Sequence, residues 1–353
     1  MIRQTAVFLL FVLILLLHVP SHAENDEFDI ATANCTKQEA KDMAHRFRKS
    51  GKGDDDSRCP RETWLEAMAA VSEQPSRLLL INVGFNKGYN FAIWSALFAP
   101  WTGINPMNWF QAIDRTDTYP NWREACGKCS DCGIKVNGTK WPFSKTETFV
   151  DMIGIDLNFH NIVLNKKTLK FLSEVKDVNF DRINITTILA GGSDKEGSML
   201  LPTCETGDES CSLTNHDMAS ASMNIATNDS VLVPLITVAK LVHDLESGKK
   251  VTKKNSGEDE VNRKVDILMI DTEGYDPLVL EGAKPLLEQS RIRSIIFEYH
   301  GIGPWLNHLL QNVVNMMDGY GLDCYFQGNG RLWRLTGCWD NAYESHWWSN
   351  VMW

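Results

Sequence analysis

The sequence has no excess of positive charge, no long apolar run and no internal repeat. Its 353 residues carry a formal net charge of −10. A negative field of this kind repels nucleic acid and anionic membrane surfaces, so neither is an expected partner. The longest apolar run near the start, Ala6 to Leu17, is shorter than the ~20 residues that span a bilayer.

The short apolar run is typical of a secretory signal peptide. Arg3 precedes it, and small residues at Ser21 and Ala23 follow it. A basic start, a short apolar core and small residues at the cleavage site define such signals. We therefore predict a signal peptide at residues 1–23, no stable membrane span after cleavage, and a place in the lumen of the secretory pathway (ER or Golgi) or outside the cell. A short membrane anchor formed by the same segment is the alternative.

The nine cysteines indicate disulfide bonds, because thiols pair in an oxidising lumen, and their odd number leaves at least one over. Cys126, Cys129 and Cys132 have the spacing that starts an iron–sulfur pattern, but no fourth cysteine follows at the expected distance. A zinc ion would need a ligand from elsewhere in the chain. Disulfides are therefore expected, and Cys204 and Cys211 are placed to close a small loop. Sequons for N-glycosylation occur at Asn34, Asn137, Asn184 and Asn228.

Apolar runs that alternate with helical segments predict an α/β domain at residues 77–336, with one mostly parallel sheet closed by an antiparallel pair. Residues 24–76 are predicted to form an N-terminal arm and a helix, and residues 337–353 an aromatic C-terminal tail. Two long insertions, at about 101–147 and 192–264, interrupt the domain. Predicted strands are 77–84, 149–155, 183–189, 265–270, 294–298, 322–327 and 331–335. Predicted helices follow Gly88 and cover 159–175, 236–245, 277–289 and 305–318.

Glycines and an acid follow the first two predicted strands of this sheet. Gly84 and Gly88 allow the backbone to approach a ligand closely, and the next helix directs its amino end there. Asp156 ends the second strand, and an acidic side chain at this place suits the paired hydroxyls of a ribose. These residues predict a nucleoside cofactor, although glycine is also common there as a simple turn residue.

Acids and a histidine follow the fourth and fifth predicted strands. Asp271 and Glu273 end the fourth, and Glu298 and His300 end the fifth. The carboxyl ends of parallel strands meet at one edge of a sheet, so we expect a reacting group to face these side chains. Acids at strand ends also serve as helix caps, and a lone histidine is often structural.

Three motifs resemble the FkbM-type family of S-adenosylmethionine-dependent methyltransferases. They are N-V-G-F-N-K-G-Y at 82–89, M-I-D-T-E-G-Y at 269–275 with L-E-G-A at 280–283, and I-F-E-Y-H at 296–300. The resemblance covers roughly residues 77–336, with a gap at each insertion, and the D-x-E-G…L-x-G-A segment is its most specific part. It implies a class I methyltransferase (Rossmann-like) fold with a seven-stranded, mostly parallel sheet, and O-methylation of a sugar or natural-product hydroxyl.

The resemblance also implies which residues bind S-adenosylmethionine. By position these are Asn82, Gly84, Asn86, Gly88, Asp156 and Ala190. Asn82 stands where the family usually has Asp, which removes a charge that would hold the ammonium group of the cofactor. We therefore expect weaker cofactor binding, and a catalytically inactive relative that binds a glycan or a protein partner is the alternative function.

Methyl transfer to a hydroxyl needs a base or a metal, because a sugar hydroxyl is a weak acid. We hypothesise that His300 is the base, that Glu298 orients it or the substrate, and that Asp271 and Glu273 shape the acceptor site. The three acids are alternatively the ligands of one divalent cation, Mg²⁺ or Ca²⁺. The expected acceptor is a glycan or a small molecule of the secretory pathway. The aromatic tail is a second glycan contact, or else it packs onto the domain.

Overall fold

The computed structural model describes residues 34–50, 65, 76–116, 148–208, 211–213, 230–247, 262–328, 331–346 and 349–353. Its α-helices are α1 Lys37–Ser50, α2 Tyr89–Phe98, α3 Pro106–Arg115, α4 Phe159–Ser173, α5 Val238–Glu246, α6 Asp276–Glu288 and α7 Leu310–Gly319. Its strands are β1 Arg77–Val83, β2 Phe149–Asp156, β3 Ile183–Leu189, β4 Gly191–Gly192, β5 Gly197–Pro202, β6 Ser230–Ile236, β7 Ile267–Ile270, β8 Ile295–Tyr299, β9 Tyr325–Gly328, β10 Arg331–Arg334 and β11 Ser349–Met352. The predicted signal peptide, the cysteine cluster at 126–132 and the sequons at Asn137 and Asn228 lie outside the described residues.

Eight of these strands form one sheet in the order β10-β9-β11-β8-β7-β1-β2-β3. The pairs β1–β2, β1–β7, β2–β3 and β7–β8 are parallel, whereas β10 and β11 run opposite to their neighbours. The predicted α/β class and mostly parallel sheet are confirmed, but the sheet has eight strands where seven were predicted. The chain order reverses at β1, which places a topological switch point between the carboxyl ends of β1 and β7.

The additional strand comes from the segment that was predicted to be an aromatic tail. β11 pairs with β8 along its length and also with β9, so the predicted closing pair, β9 and β10, lies at the sheet edge as a hairpin. Tyr343 and Trp353 are buried, and the Trp353 ring stacks on Phe297 with a centroid distance of 4.5 Å. These two rings therefore belong to the core, which leaves neither of them open to a glycan.

Strand β1 is apolar from Leu78 to Ile81 because both faces of the sheet are covered by helices. Leu79 and Ile81 lie in a core that includes residues of α1, α5, α6 and α7. Leu78 and Leu80 lie in a second core, formed with α2, α3 and α4. β1 is therefore buried between two helical layers and lies in the interior of the sheet, between β7 and β2.

The second predicted insertion folds as a small sheet, in the order β4-β6-β5, followed by helix α5. The disulfide Cys204–Cys211 closes the loop after β5, as the sequence indicated, and Cys35–Cys338 joins the start of α1 to the segment after β10. Cys324 is a buried free thiol. None of the helices among the described residues has the length and apolar character that a membrane crossing requires.

Candidate cofactor and acceptor site

The carboxyl edge of the parallel strands has two parts, which we call the β1–β2 end and the β7–β8 end. At the β1–β2 end, Gly84 and Gly88 have positive φ angles of 83° and 77°. A Cβ on Gly84 would collide with the backbone carbonyl of Asp271, and one on Gly88 with the Asn165 side chain. Both glycines are therefore required for packing within the protein, whatever ligand the loop admits. Asn86, between them, also adopts the left-handed region, with φ 46°.

Asp156 is buried at the end of β2 and is held by three donors. Its Oδ1 accepts from the Asn158 amide at 2.7 Å, and its Oδ2 accepts from the Asn86 amide at 2.8 Å and from Asn161 Nδ2 at 3.3 Å. Burial raises the pKa of Asp156 to about 6, although these hydrogen bonds act in the opposite direction. A carboxylate has about four acceptor positions, so Oδ1 keeps capacity for one hydroxyl donor rather than the two that were predicted.

Three asparagines on the first turns of α4 join the loops of the β1–β2 end. Asn158 Nδ2 donates to Glu205 O at 2.6 Å, and Asn161 Oδ1 accepts from the Gly207 amide at 2.8 Å. Asn165 Nδ2 donates to Asn86 O at 2.9 Å. The residues are spaced i, i+3 and i+7, which places them on one helical face. We did not predict this network, although its spacing is visible in the sequence.

Two buried polar side chains at the β1–β2 end have no hydrogen-bond partner among the described residues. The Lys87 side chain is 2 % exposed, and its Nζ is unpartnered. Asn82 is completely buried, with both its Nδ2 and its Oδ1 unpartnered. A buried ammonium or amide without a partner is costly, so both groups are of the kind that a bound polar ligand would satisfy. Lys87 was not predicted as a site residue.

The disulfide-closed loop after β5, together with Ser212 that directly follows it, contacts both parts of the edge. Gly207 packs against the Lys87 side chain, and a Cβ there would collide with it. Ser212 Oγ donates to the carbonyls of Thr272 and Glu273, at 3.1 Å each. Ala190, predicted near the adenine, is buried in the core, and its amide donates to Asp156 O at 3.0 Å. The loop thus lies across the switch point between β1 and β7.

At the β7–β8 end the structure brings Glu273, Glu298 and His300 together, and we call them the carboxylate–histidine cluster. One ligand atom of each lies within 4.8 Å of the others. Glu298 and His300 are both 8 % exposed, and His300 Nε2 has no hydrogen-bond partner among the described residues. Asp271, predicted with this group, is not part of the cluster, and its amide donates to Val83 O at 2.9 Å.

Asp276 and Trp305 fix the backbone that carries the two acids. The Asp276 carboxylate accepts from Thr272 Oγ1 at 3.1 Å and from the amides of Gly274 and Glu298 at 3.2 Å each. Trp305 Nε1 donates to Glu298 O at 2.9 Å. Glu273 itself has a φ of 53°, a strained backbone angle of the kind that clusters at functional sites. The backbone positions of the two acids are therefore set by contacts within the protein.

Burial lowers the pKa of His300 to about 4, so its imidazole is neutral at neutral pH. A neutral imidazole offers a lone pair, which suits either a general base or a metal ligand. A base is most effective when its pKa lies near the working pH. His300 alone is therefore a weak proton acceptor, and the neighbouring carboxylates or a cation must support it.

An α/β sheet with a polar site at the carboxyl edge of its strands defines a class of small-ligand binding proteins and enzymes. Within that class, residues 178–324 match the family model of the Methyltransferase FkbM domain. The match confirms the predicted family resemblance over this segment, which contains the carboxylate–histidine cluster, and it supports a methyltransferase. Strands β1 and β2 precede the matched segment. No curated protein and no solved structure matches the chain.

Proposed function

We propose that the protein is an S-adenosylmethionine-dependent O-methyltransferase that acts on a hydroxyl of a glycan or another small molecule in the secretory pathway. The observation that carries this proposal is the pair of buried, unpartnered groups at the β1–β2 end, Lys87 and Asn82. They lie on the strand and loop that precede the acid Asp156, at the switch point where α/β proteins bind nucleosides.

The residues of the β1–β2 end fit the polar groups of the cofactor. The Lys87 ammonium suits the α-carboxylate of the methionine part, and Asn82 Oδ1 suits its ammonium group. Asp156 Oδ1 is suited to accept one ribose hydroxyl. Gly84, Asn86, Gly88 and Ala190 then supply backbone close to the ligand. S-adenosylmethionine supplies the electrophilic methyl group of a sulfonium, and the protein supplies alignment.

The carboxylate–histidine cluster is placed to orient the acceptor hydroxyl and to remove its proton. As the oxygen bonds to the methyl carbon, the sulfur–carbon bond breaks and the hydroxyl proton must leave. Glu298 and Glu273 each have a carboxylate oxygen within 4.8 Å of His300, and their negative charge would stabilise a proton that reaches its imidazole. We also propose that Asp271 is part of the acceptor site, because it directly follows β7 and lies two residues before Glu273.

Two observations bear on the acceptor and the compartment. Ile302, Leu306 and Leu309 are exposed, at 43, 66 and 50 %, on the segment that directly follows His300, which favours an acceptor with an apolar face beside its hydroxyl. The two disulfides are compatible with an oxidising secretory compartment. A lumenal methyltransferase would meet glycans and secreted small molecules as its hydroxyl donors.

A binding protein without activity is the second candidate, and Asn82 favours it because this residue stands where the family usually has Asp. Cofactor binding separates the two. Calorimetric titration of the purified protein with S-adenosylmethionine and S-adenosylhomocysteine is expected to give saturable one-to-one binding. A folded protein that binds neither compound would refute the enzyme and favour the binding protein. Screening of hydroxyl acceptors, both polar glycans and molecules with an apolar face, follows a positive titration.

A further inference from the structure

We propose that Glu273, Glu298 and His300 form a binding site for one divalent transition-metal ion, in which His300 is a ligand rather than the general base. Only one part of this inference rests on the proposed function, namely that the bound ion would contact the acceptor oxygen in the reaction. Occupancy of the site by a cation is a separate claim that can be tested without cofactor or acceptor.

The geometry is the first support for the site. Three side chains from two adjacent strand ends place one donor atom each within 4.8 Å of the others. Donor atoms that share a metal at about 2.0–2.2 Å are separated by distances of this order or less. Strands β7 and β8 are parallel neighbours, so the spacing follows from the sheet and not from a mobile surface.

The burial of His300 is the second, independent support. The residue is 8 % exposed, one of its ring nitrogens lies within 4.8 Å of a carboxylate oxygen of each acid, and its Nε2 has no hydrogen-bond partner among the described residues. A buried imidazole nitrogen is normally paired. A cation satisfies this nitrogen and at the same time relieves the repulsion between two carboxylates held close together.

The donor set indicates which ions fit. One imidazole with two carboxylates is a mixed nitrogen and oxygen set, because imidazole suits zinc, iron and copper while carboxylates suit manganese and magnesium. Mn²⁺ and Zn²⁺ accept both donor types, whereas Mg²⁺ and Ca²⁺ prefer oxygen alone. Three protein ligands leave positions open for water or a substrate oxygen, as in catalytic metal sites. The sequence prediction of an all-oxygen site with Asp271 is thereby replaced by one with His300.

The surrounding residues orient the acids from outside the cluster. Asp276 accepts from the Glu298 amide, and Trp305 Nε1 donates to Glu298 O. Ser212 Oγ donates to Glu273 O. Hydrogen bonds of this kind hold metal ligands in place and are commonly required for affinity. If an ion is bound, His300 is a ligand and does not take the proton; the ion would instead lower the pKa of the acceptor hydroxyl, whose proton would leave to solvent as the oxygen takes the methyl group.

The test is direct metal binding by the purified protein after chelator treatment. Mn²⁺ is titrated by the loss of the electron paramagnetic resonance signal of the free ion, and Zn²⁺ by competition with a chromogenic chelator. We expect one ion of either metal per chain, and weaker binding of Mg²⁺ and Ca²⁺ in competition with Mn²⁺. Glu273→Gln and His300→Gln should each weaken Mn²⁺ binding by more than about tenfold. Glu273 is only half-buried, so its variant is the safer one for folding.

His308→Gln is the matched control, because His308 is half-buried on the same segment and bonds through Nδ1 to Pro304 O at 2.8 Å, outside the cluster. Its Mn²⁺ affinity should equal that of the unaltered protein. S-adenosylhomocysteine binding is measured on the same samples. No Mn²⁺ or Zn²⁺ binding up to about 1 mM by protein that binds S-adenosylhomocysteine would overturn the metal site and leave the proposed function standing. If both cluster variants bind metal as tightly as the unaltered protein, the ligand assignment is overturned. If the protein prefers Mg²⁺ or Ca²⁺ to Mn²⁺, the proposed class of ion is overturned.

Discussion

The β1–β2 end and the β7–β8 end lie on one edge of one sheet, but their polar groups are arranged differently. At the β1–β2 end, Asp156 and the asparagines of α4 bond mainly to one another and to loop backbone. At the β7–β8 end, the hydrogen bonds of Asp276 and Trp305 hold the backbone, and His300 Nε2 stays open.

This difference separates two tasks. A hydrogen-bonded network such as that around Asp156 fixes a shape, which suits recognition of a constant ligand such as a cofactor. A cluster whose backbone is fixed and in which His300 Nε2 has no hydrogen-bond partner among the described residues suits chemistry on a changing partner. Changes at one end should therefore alter cofactor affinity alone, and changes at the other should alter turnover alone.

The largest expected effect is on turnover at the β7–β8 end. His300→Gln removes the imidazole, so kcat with an acceptor found by screening should fall by about 100-fold or more. The dissociation constant of S-adenosylmethionine should stay unchanged, because we propose that the cofactor binds at the β1–β2 end and not at His300. Steady-state kinetics and calorimetry on the same preparation measure both quantities, with His308→Gln as the control. Normal turnover in His300→Gln would remove the residue from the mechanism.

A smaller effect is expected on cofactor affinity at the β1–β2 end. Lys87→Met keeps the length of the side chain but removes the charge that we pair with the cofactor carboxylate, and loss of one buried charge partner costs about 2 kcal/mol or more. The dissociation constant should rise roughly 30-fold. The free energy of unfolding should not fall, because a buried ammonium without a protein partner is replaced by an apolar group.

Lys166→Met, an exposed lysine of the same helix α4 that carries Asn165, is the control and should bind the cofactor normally. If Lys87→Met unfolds more easily and still binds S-adenosylmethionine as before, Lys87 has a structural role. That result would contradict the proposal that the β1–β2 end binds the cofactor and the β7–β8 end supports turnover.

The smallest effect concerns pH. The pKa of Asp156 is raised to about 6 by burial, and only the ionised carboxylate can accept a ribose hydroxyl at Oδ1 while it keeps its three donors within the protein. Cofactor affinity should therefore be constant above pH 7 and fall by up to about tenfold per pH unit below pH 6. Calorimetry between pH 5 and pH 8 measures this dependence. Asp156→Asn cannot ionise, so a pH profile that persists in this variant would assign the titration to another group.

The sequence predicts the sheet and the β7–β8 end well because both depend on local patterns. Apolar runs such as that from Val265 to Ile270 predict strands, and their parallel order brings Glu273, Glu298 and His300 to one place. Helix α5, predicted at 236–245, is present at Val238–Glu246. The buried residues of a strand and the residue at which it ends can therefore be predicted from the local sequence alone.

The features that the sequence did not predict depend on contacts between distant segments. Lys87 is buried because a loop 120 residues later, at Gly207, covers it. Cys35 and Cys338 pair across 303 residues, and spacing gives no signal at that range. β11 was overlooked because four residues, Ser349–Met352, form too short a pattern, and only their neighbours β8 and β9 make them a strand.

The position of β11 has a consequence for the order in which the sheet can form during synthesis. β11 follows β9 and β10 in the chain but lies between β8 and β9 in the sheet. The five parallel strands β1, β2, β3, β7 and β8 can assemble as soon as they leave the ribosome. The β9–β10 hairpin cannot join the sheet until residues 349–352 emerge. Until then β8 exposes an unpaired edge, which is a site for wrong pairing with other chains. The edge of β8 is therefore the part of the parallel sheet that stays unpaired longest during synthesis.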